Sequence, residues 1–505
     1  MSQELYTDTD PDYRNTPIYS GIPPPSIRDI QWSTRQYDYP NQQHQGDLSR
    51  YNPQRQLDIS TRTDSPRYQY SQQQQGTLSK EHESIYQHPA SSQLQPAIVE
   101  APAQPPLPIA QPLPKLDMRT STDFIECGNE QGSIQLNLQD LCLCIQVAPA
   151  KIDYDFLCSK DLVKTALELK DKGRQVPDHV RQSAKKRSNP FDCIGKHIFM
   201  NRDATKLAAL DATFHLTPSN ESTGKTFMFA DLCGGPGGFS EYLFWRVHQS
   251  DGGSARGYGM TLRSSLTENH WHLENISPNI TVNFTQVDGI DGTGNLYQKA
   301  NILEFDAVVS NNTKKRGVDL VVADGEENND GKDGKLESLN KQLILCQVIT
   351  MLTCLKQGGT FVCKMFDMFE EFTADVVWLL YQLFEGVCIT KPLTSEPSSS
   401  ERFLICKKLR YQHPTKLIDA LLAVNDELNN KEGQVDSFVP RQILEKDQVF
   451  IDYVKMRNMK FLLKQIDALE QMETFIADQN KTNVYSPDRV KRQSLQEWRL
   501  PLDGE

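Results

Sequence analysis

The stretch FADLCGGPGGFSEYLFWR (Phe229–Arg246) constrains this chain more than any other. An apolar run ends at Asp231–Cys233, four glycines surround Pro236, and an amphipathic helical pattern follows. Glycines permit a tight turn and let the backbone come close to a ligand. Pro236 suits a first helical turn, where a missing N–H costs nothing. The N–H groups open at such a helix start favour a carboxylate or phosphate. No GK[ST] follows, as a Walker loop would require, and G-x-G-x-x-G is not matched, so dinucleotide binding is the weaker reading.

From about Cys127 short apolar runs alternate with longer amphipathic stretches, the pattern of an α/β domain with a parallel sheet. Thr226–Leu232, Gly257–Leu262, Val318–Asp324 and Gly359–Phe366 are predicted as buried strands. Gly237–Arg246 and Leu336–Leu355 are predicted as helices, and Gly386–Lys391 with Arg402–Lys407 as a closing strand pair at the sheet edge. Beyond about Arg410 the period is helical (KLIDALLAVNDEL, then FIDYVKMRNMKFLLKQIDALEQMETFIADQ), which predicts a separate helical appendage over residues 411–505. Residues 1–115 are rich in Gln, Ser, Pro, Tyr and Asp and run into PAQPPLPIAQPLPK. With few aliphatic side chains to offset ordering entropy, they are expected to be a disordered tail, either plain or carrying a docking segment for a partner. Residues 116–410 remain as the α/β domain, opened by a helical segment.

A net charge of −12 excludes a protein whose whole surface attracts nucleic acid, but not a local basic track. The polar, acidic start MSQELYTDTD is not expected to be a secretory signal. The longest apolar run, near Val376–Phe384, contains Gln382 and leads into Glu385 and Gly386, short of membrane-spanning length. The 11 cysteines are scattered without a CxxC pair, which favours free thiols in a reducing compartment. Cys142 and Cys144 alternate as in a strand. Glu326, Asn328, Asp330, Gly331 and Glu337 approach the spacing of a calcium loop. Position one is Glu rather than Asp, and a strand precedes the loop, so a mobile polar loop is expected and no metal site.

Six separated segments carry a resemblance. They are RSNPFDCIGKHIFMNRDATK (Arg187–Lys206), the glycine loop, VVADG (Val321–Gly325), KQLILCQ (Lys341–Gln347), GGTFVCKMFD (Gly358–Asp367) and KPLTSEPSSSERFLICK (Lys391–Lys407). Together they resemble the FtsJ-like, Rossmann-type ribose 2′-O-methyltransferases, most closely those that form cap 1 on animal mRNA, over roughly Asp155–Pro501. The resemblance implies a Rossmann-like class I fold that uses S-adenosyl-L-methionine, cradled by Cys233, Gly234, Gly235, Pro236, Gly237, Gly238 and Phe239. The family's adenine-facing acid falls in DGIDGTGN (Asp288–Asn295), where this chain has Asn295. An amide oxygen can still accept a hydrogen bond from an exocyclic amine. Asp291 is the second candidate. By the same resemblance the catalytic Lys-Asp-Lys-Glu set matches Lys206, Asp324, Lys364 and Glu401.

The chemistry accounts for these residue types. Asp324 and Lys364 each end a predicted strand, and ligands of open α/β sheets sit outside the carboxyl ends of strands. A ribose hydroxyl is a weak nucleophile, whereas a sulfonium methyl is already a good electrophile. The site must therefore supply in-line alignment and a proton acceptor. The displacement itself calls for no metal. A free lysine has a pKa near ~10.4. Burial, a second ammonium and the sulfonium are expected to lower it. Lys364 is then the general base, and Lys206 depresses its pKa and holds the ribose. Asp324 orients Lys364 and the methyl donor, and Glu401 anchors the lysines and the ribose.

Lys170, Lys172, Arg174, Lys185, Lys186 and Arg187 form a basic cluster suited to a phosphate track, with a solvated helix face or nuclear-import signal as the alternative. The resemblance implies the capped 5′ end of mRNA as substrate, transcription or capping machinery as partners, and the nucleus as location. Animal members also carry G-patch, guanylyltransferase-like and WW domains, whose patterns are not found in these residues. Ribose methylation of cap 2, ribosomal RNA or transfer RNA is the enzymatic alternative. A catalytically silent RNA-binding scaffold is the alternative from another class, and the intact four-residue set speaks against it.

Overall fold

The computed structural model describes residues 118–127, 145–147, 151–218, 224–249, 253–263, 269–273, 283–327, 335–430, 435–483 and 485–502. The expectations for the tail and for Cys142 and Cys144 lie outside these residues, as does most of the polar loop after Glu327.

In chain order the first elements are β1 (Phe124–Glu126), β2 (Gln146–Val147), α1 (Tyr154–Leu157), α2 (Lys160–Arg174), α3 (Asp178–Ser188) and α4 (Arg202–Phe214). Next come β3 (Phe227–Leu232), α5 (Gly238–Gln249), β4 (Ala255–Met260), β5 (Phe284–Gln286), α6 (Lys299–Thr313) and β6 (Val318–Ala323). Then follow α7 (Leu336–Cys354), β7 (Leu355–Met365), α8 (Glu371–Leu383), β8 (Phe384–Thr390) and β9 (Arg402–Leu409). The last are α9 (Thr415–Asn430), β10 (Val435–Ser437), α10 (Arg441–Lys446), α11 (Gln448–Ala477) and α12 (Pro487–Glu497).

The main sheet runs β1-β8-β9-β7-β6-β3-β4-β5. Its half from β7 to β5 is parallel. β9 and β8 close it antiparallel, and β1 caps that edge. This is the α/β architecture expected, and the antiparallel closing pair lies where the patterning puts it. The central strands are apolar on both faces because helices cover both, as parallel sheets require. Val318, Val321 and Ala323 of β6 join one core cluster, while Leu320 and Val322 join the other.

Two expectations change. Pro236 lies before the helix, which starts at Gly238, so it shapes the glycine turn instead of the first helical turn. The helices beyond Arg410 are not a separate body. Leu417, Leu421, Phe450, Val454 and Phe461 share a core cluster with Ile344, Phe361 and Leu404 of the sheet domain. The other end of α11 packs against α2 and α3 through Leu462, Ile466, Leu469 and Phe475. The apolar run near Val376 is α8, buried against the sheet. Among the described residues no helix is long and apolar enough to cross a membrane.

Buried polar side chains of α11 tie that helix to the carboxyl end of the sheet. Asn458 Nδ2 donates to Leu157 O (2.9 Å) and Met368 O (2.7 Å). Gln465 Nε2 donates to Ser398 O at 2.8 Å. The two residues are seven apart and so lie on one helix face. They fix the segments that follow β7 and precede β9.

Candidate active site

β3, β6 and β7 are parallel neighbours, so residues following each strand share one end of the sheet. Cys233 follows β3, Asp324 follows β6, and Lys364 is next to last in β7. β9 runs antiparallel to β7, with Met365 opposite Arg402 and Lys364 opposite Phe403. Glu401, just before β9, therefore arrives at the same end. Lys206 comes from the second turn of α4, whose start is capped by Asn201 Oδ1 accepting from Asp203 N at 3.1 Å. Residues 195 positions apart thus meet, since Lys206 Nζ lies 2.9 Å from Glu401 Oε2. Lys364 Nζ lies 3.2 Å from Asp324 Oδ1 and equally far from Glu326 Oε2. All four residues of the proposed set converge.

The electrostatics differ from expectation at the lysine. Burial works to lower the Lys364 pKa, but Asp324, Glu401 and Glu326 outweigh both burial and Lys206, and the pKa is raised. Burial likewise opposes the charge of Lys206, yet Glu401, Asp324 and Asp203 hold it well above the usual lysine range. Asp324 and Glu401 were expected beside Lys364, but Glu326 was not, and burial and the second ammonium were given more weight than the carboxylates. Burial would raise Glu401, but Lys206, Lys364 and Lys391 outweigh it and hold the carboxyl at about 2. Burial pushes the Asp324 carboxyl up against the pull of Lys364 and Lys206. Its Oδ1 has an ion pair but no hydrogen-bond partner.

The glycine loop is packed by the protein's own atoms. A Cβ on Gly234 would stand 2.1 Å from Asp231 Oδ1, one on Gly235 2.0 Å from Asn269 O, and one on Gly238 1.9 Å from Asn201 Oδ1. Cys233 occupies the left-handed region at φ 57° with its N–H on Met260 O (2.7 Å), a conformation rare for a side chain other than glycine or asparagine. Phe239 is 2% exposed and faces Phe403 in the core, so only its backbone can meet a ligand. Asp231 Oδ2 accepts from Ser240 Oγ at 2.7 Å while Oδ1 is buried without a hydrogen-bond partner. Burial pushes this carboxyl up to about 7. Asp231 Oδ1 is thus one carboxylate acceptor without a partner beneath the loop, which suits a cationic ligand such as an ammonium or sulfonium above it, whereas Asp324 Oδ1 already faces the Lys364 ammonium.

Asn295 and Asp291 organise the neighbouring turn. Asn295 Oδ1 accepts from Tyr297 N at 2.9 Å. Asp291 Oδ1 accepts from Thr293 N (2.9 Å), Thr293 Oγ1 (2.7 Å) and Asn301 Nδ2 (2.9 Å). One oxygen of the Asp291 carboxylate is therefore engaged by the loop itself. Of the basic cluster, Arg187 is committed to packing. It donates to Gln479 O (2.8 Å) and Lys481 O and covers the Phe475 ring. Lys172 pairs with Glu473 (3.6 Å) and Arg174 with Asp171 (2.7 Å). Lys170, Lys185 and Lys186 have no ion pair among the described residues.

Asp203, Glu326 and Lys391 join the site without having been expected there. Asp203 lies 3.1 Å from Lys206 Nζ, and its spacing three before Lys206 on a helix was an available signal. Lys391 Nζ donates to Ser399 O (2.9 Å) and Glu401 O (2.8 Å), fixing the Glu401 backbone. Burial lowers its pKa to about 7. Glu337, the last residue of the calcium-loop spacing, is buried and accepts from Phe369 N and Glu370 N. The described cysteines are free thiols.

Residues 199–409 match the FtsJ-like methyltransferase family. The chain is 35% identical over 366 residues to the cap-specific mRNA (nucleoside-2′-O-)-methyltransferase 1 of Dictyostelium discoideum, covering 69% of this chain and 46% of that protein. It is 35% identical over 363 residues to the proteins of the same name from Mus musculus and Homo sapiens, covering 68% of this chain and 42% of each. The chain thus spans less than half the length of these curated relatives.

Proposed function

We propose, from the match of residues 199–409 to the FtsJ-like methyltransferase family, that the chain methylates the ribose 2′-hydroxyl of the first transcribed nucleotide of capped mRNA. The observation that carries the reading is the convergence of Lys206, Asp324, Lys364 and Glu401 beside the glycine loop. The cap-specific names of relatives 35% identical support the substrate.

S-adenosylmethionine supplies the electrophilic methyl group, and the loop Cys233–Phe239 with the Asn295 turn would hold it. Asp231, whose buried Oδ1 has no hydrogen-bond partner, would favour its cationic groups from beneath the loop. Lys364, in its neutral fraction, takes the proton from the ribose 2′-oxygen. Three carboxylates favour its charged form and keep that fraction small near neutrality; it grows as pH rises, so activity increases on the alkaline side. Lys206, fixed by Glu401 and Asp203, stays cationic and holds the ribose. Lys170, Lys185 and Lys186 carry the phosphate track. A nuclear location and contact with transcription or capping machinery follow from this substrate.

The test is transfer of a labelled methyl group to matched capped and uncapped RNAs, with nuclease digestion and mass spectrometry to locate it. A methyl on the first transcribed nucleotide of capped RNA alone is expected. A methyl on the second nucleotide would assign cap 2, and efficient internal methylation of uncapped RNA would overturn the cap reading.

A further inference from the structure

Lys364 has more carboxylate around it than the four-residue set supplies. Its Nζ sits between Asp324 Oδ1 and Glu326 Oε2, each at 3.2 Å. Glu401 reaches it from the segment before β9 and Lys206 from α4. Beyond these, Asp203 pairs with Lys206, and Lys391 acts on Glu401.

Glu326 belongs to the segment after the catalytic-type Asp324, and its backbone is pinned on both sides. Gly325 N donates to Gln347 Oε1 (3.1 Å), and Glu327 N donates to Asn340 Oδ1 (2.8 Å). A Cβ on Gly325 would meet Gln347 Oε1 at 2.7 Å, so glycine allows this segment to lie against α7. Tyr297 OH donates to Glu327, which directs that side chain towards the Asn295 turn. Glu326 is left to point at Lys364. It is 38% exposed, whereas the Lys364 side chain is 6% exposed. An exposed carboxylate loses little hydration in approaching the ammonium, and it can swing away when a substrate takes its place.

We infer that Glu326 is a positioning residue that competes with Asp324 for the Lys364 ammonium and so governs how readily Lys364 takes up the ribose proton. This rests on Lys364 being the base proposed above. Glu326 touches no reacting atom and acts through Lys364. With its charge present, the rising limb of the pH–rate profile lies at higher pH. Neutralising it makes proton loss from Lys364 easier, so the sign of the change is fixed.

The experiment measures kcat/KM against pH for full-length wild type, Glu326→Gln, Glu326→Asp and Lys364→Ala on one capped RNA. Calorimetry with S-adenosylhomocysteine reports whether each cofactor site is intact. Glu326→Gln is expected to move the rising limb about one pH unit lower, the size for one charge at this separation in a water-like dielectric. Below the limb its rate rises up to about tenfold, since one unit is a factor of ten in neutral lysine. Glu326→Asp returns the limb towards wild type. An unmoved limb in Glu326→Gln with normal cofactor binding overturns the inference, as does a fall in rate at every pH. If Lys364→Ala is silent while the limb stays put, the inference alone fails. If Lys364→Ala keeps its turnover, the proposed base fails and the inference with it.

Discussion

Arg402 Nη2 lies 2.7 Å from Asp367 Oδ1, tying the first residue of β9 to the turn that leaves β7. Glu401 and Lys364 stand immediately beside these two segments, so one buried ion pair sets the spacing of the charged groups in the site. Arg402 Nη1 donates to Asn458 Oδ1 of α11 at 2.5 Å, and the guanidinium covers the Phe461 ring. Arg402 is 2% exposed.

Arg402→Met should therefore cost about 3–5 kcal/mol, because it leaves Asp367 without its partner in a buried place. Urea unfolding measures this directly. A loss below about 1 kcal/mol, the range of a surface pair, would mean that the pair does not brace the sheet end.

Lys364→Ala and Asp324→Ala should each lower methyl transfer by about 10²–10⁴-fold, the range for losing a general base or its positioning partner. Binding of S-adenosylhomocysteine, followed by calorimetry, should stay near wild type in Lys364→Ala, because that residue acts on the ribose proton. Near-normal turnover in both variants would remove them from the chemistry.

The glycine loop and the strand ends were legible because each leaves a local mark: a buried apolar run, glycines and a helical period. The charge state of Lys364 was not. Glu326 and Glu401 are 38 residues before it and 37 after it, and only the β7–β9 register brings the second of them close. The role of the C-terminal helices was half legible. A helical period in α11 announces an apolar face, but it does not say that Phe450, Val454 and Phe461 pack on the sheet domain while Leu469 and Phe475 pack on α2 and α3. The short strands β1, β2, β5 and β10 have two or three residues each, too few for an alternation to register.

Gly235→Val should weaken S-adenosylhomocysteine binding, although not by filling ligand space. Its side chain would strike the Asn269 carbonyl, and the turn must move away from its place over β3 and β4. Asn295→Asp should bind at least as well as wild type, because a carboxylate can accept from Tyr297 N as the amide oxygen does. Asn295→Ala removes that acceptor and should bind more weakly. Calorimetry on the three variants checks the order, and a Gly235→Val protein with unchanged affinity would contradict it.

The basic cluster now divides into two classes with different signatures. Lys185 and Lys186, at the end of α3, have no ion pair among the described residues. Exchanging both for Gln should raise KM across RNA sequences and reduce the slope of log binding constant against log salt by about one to two phosphate contacts. Turnover at saturating RNA should change much less, since these residues act in binding and lie apart from Lys364. Arg187 should behave otherwise. Its guanidinium joins α3 to the segment after α11 through Gln479 O, Lys481 O and the Phe475 ring. Arg187→Gln should lower the unfolding midpoint, while Lys185→Gln with Lys186→Gln leaves it nearly unchanged. Filter binding over a salt series and thermal unfolding separate the two, and an equal salt-slope change from Arg187→Gln alone, without loss of stability, would return that residue to the phosphate track.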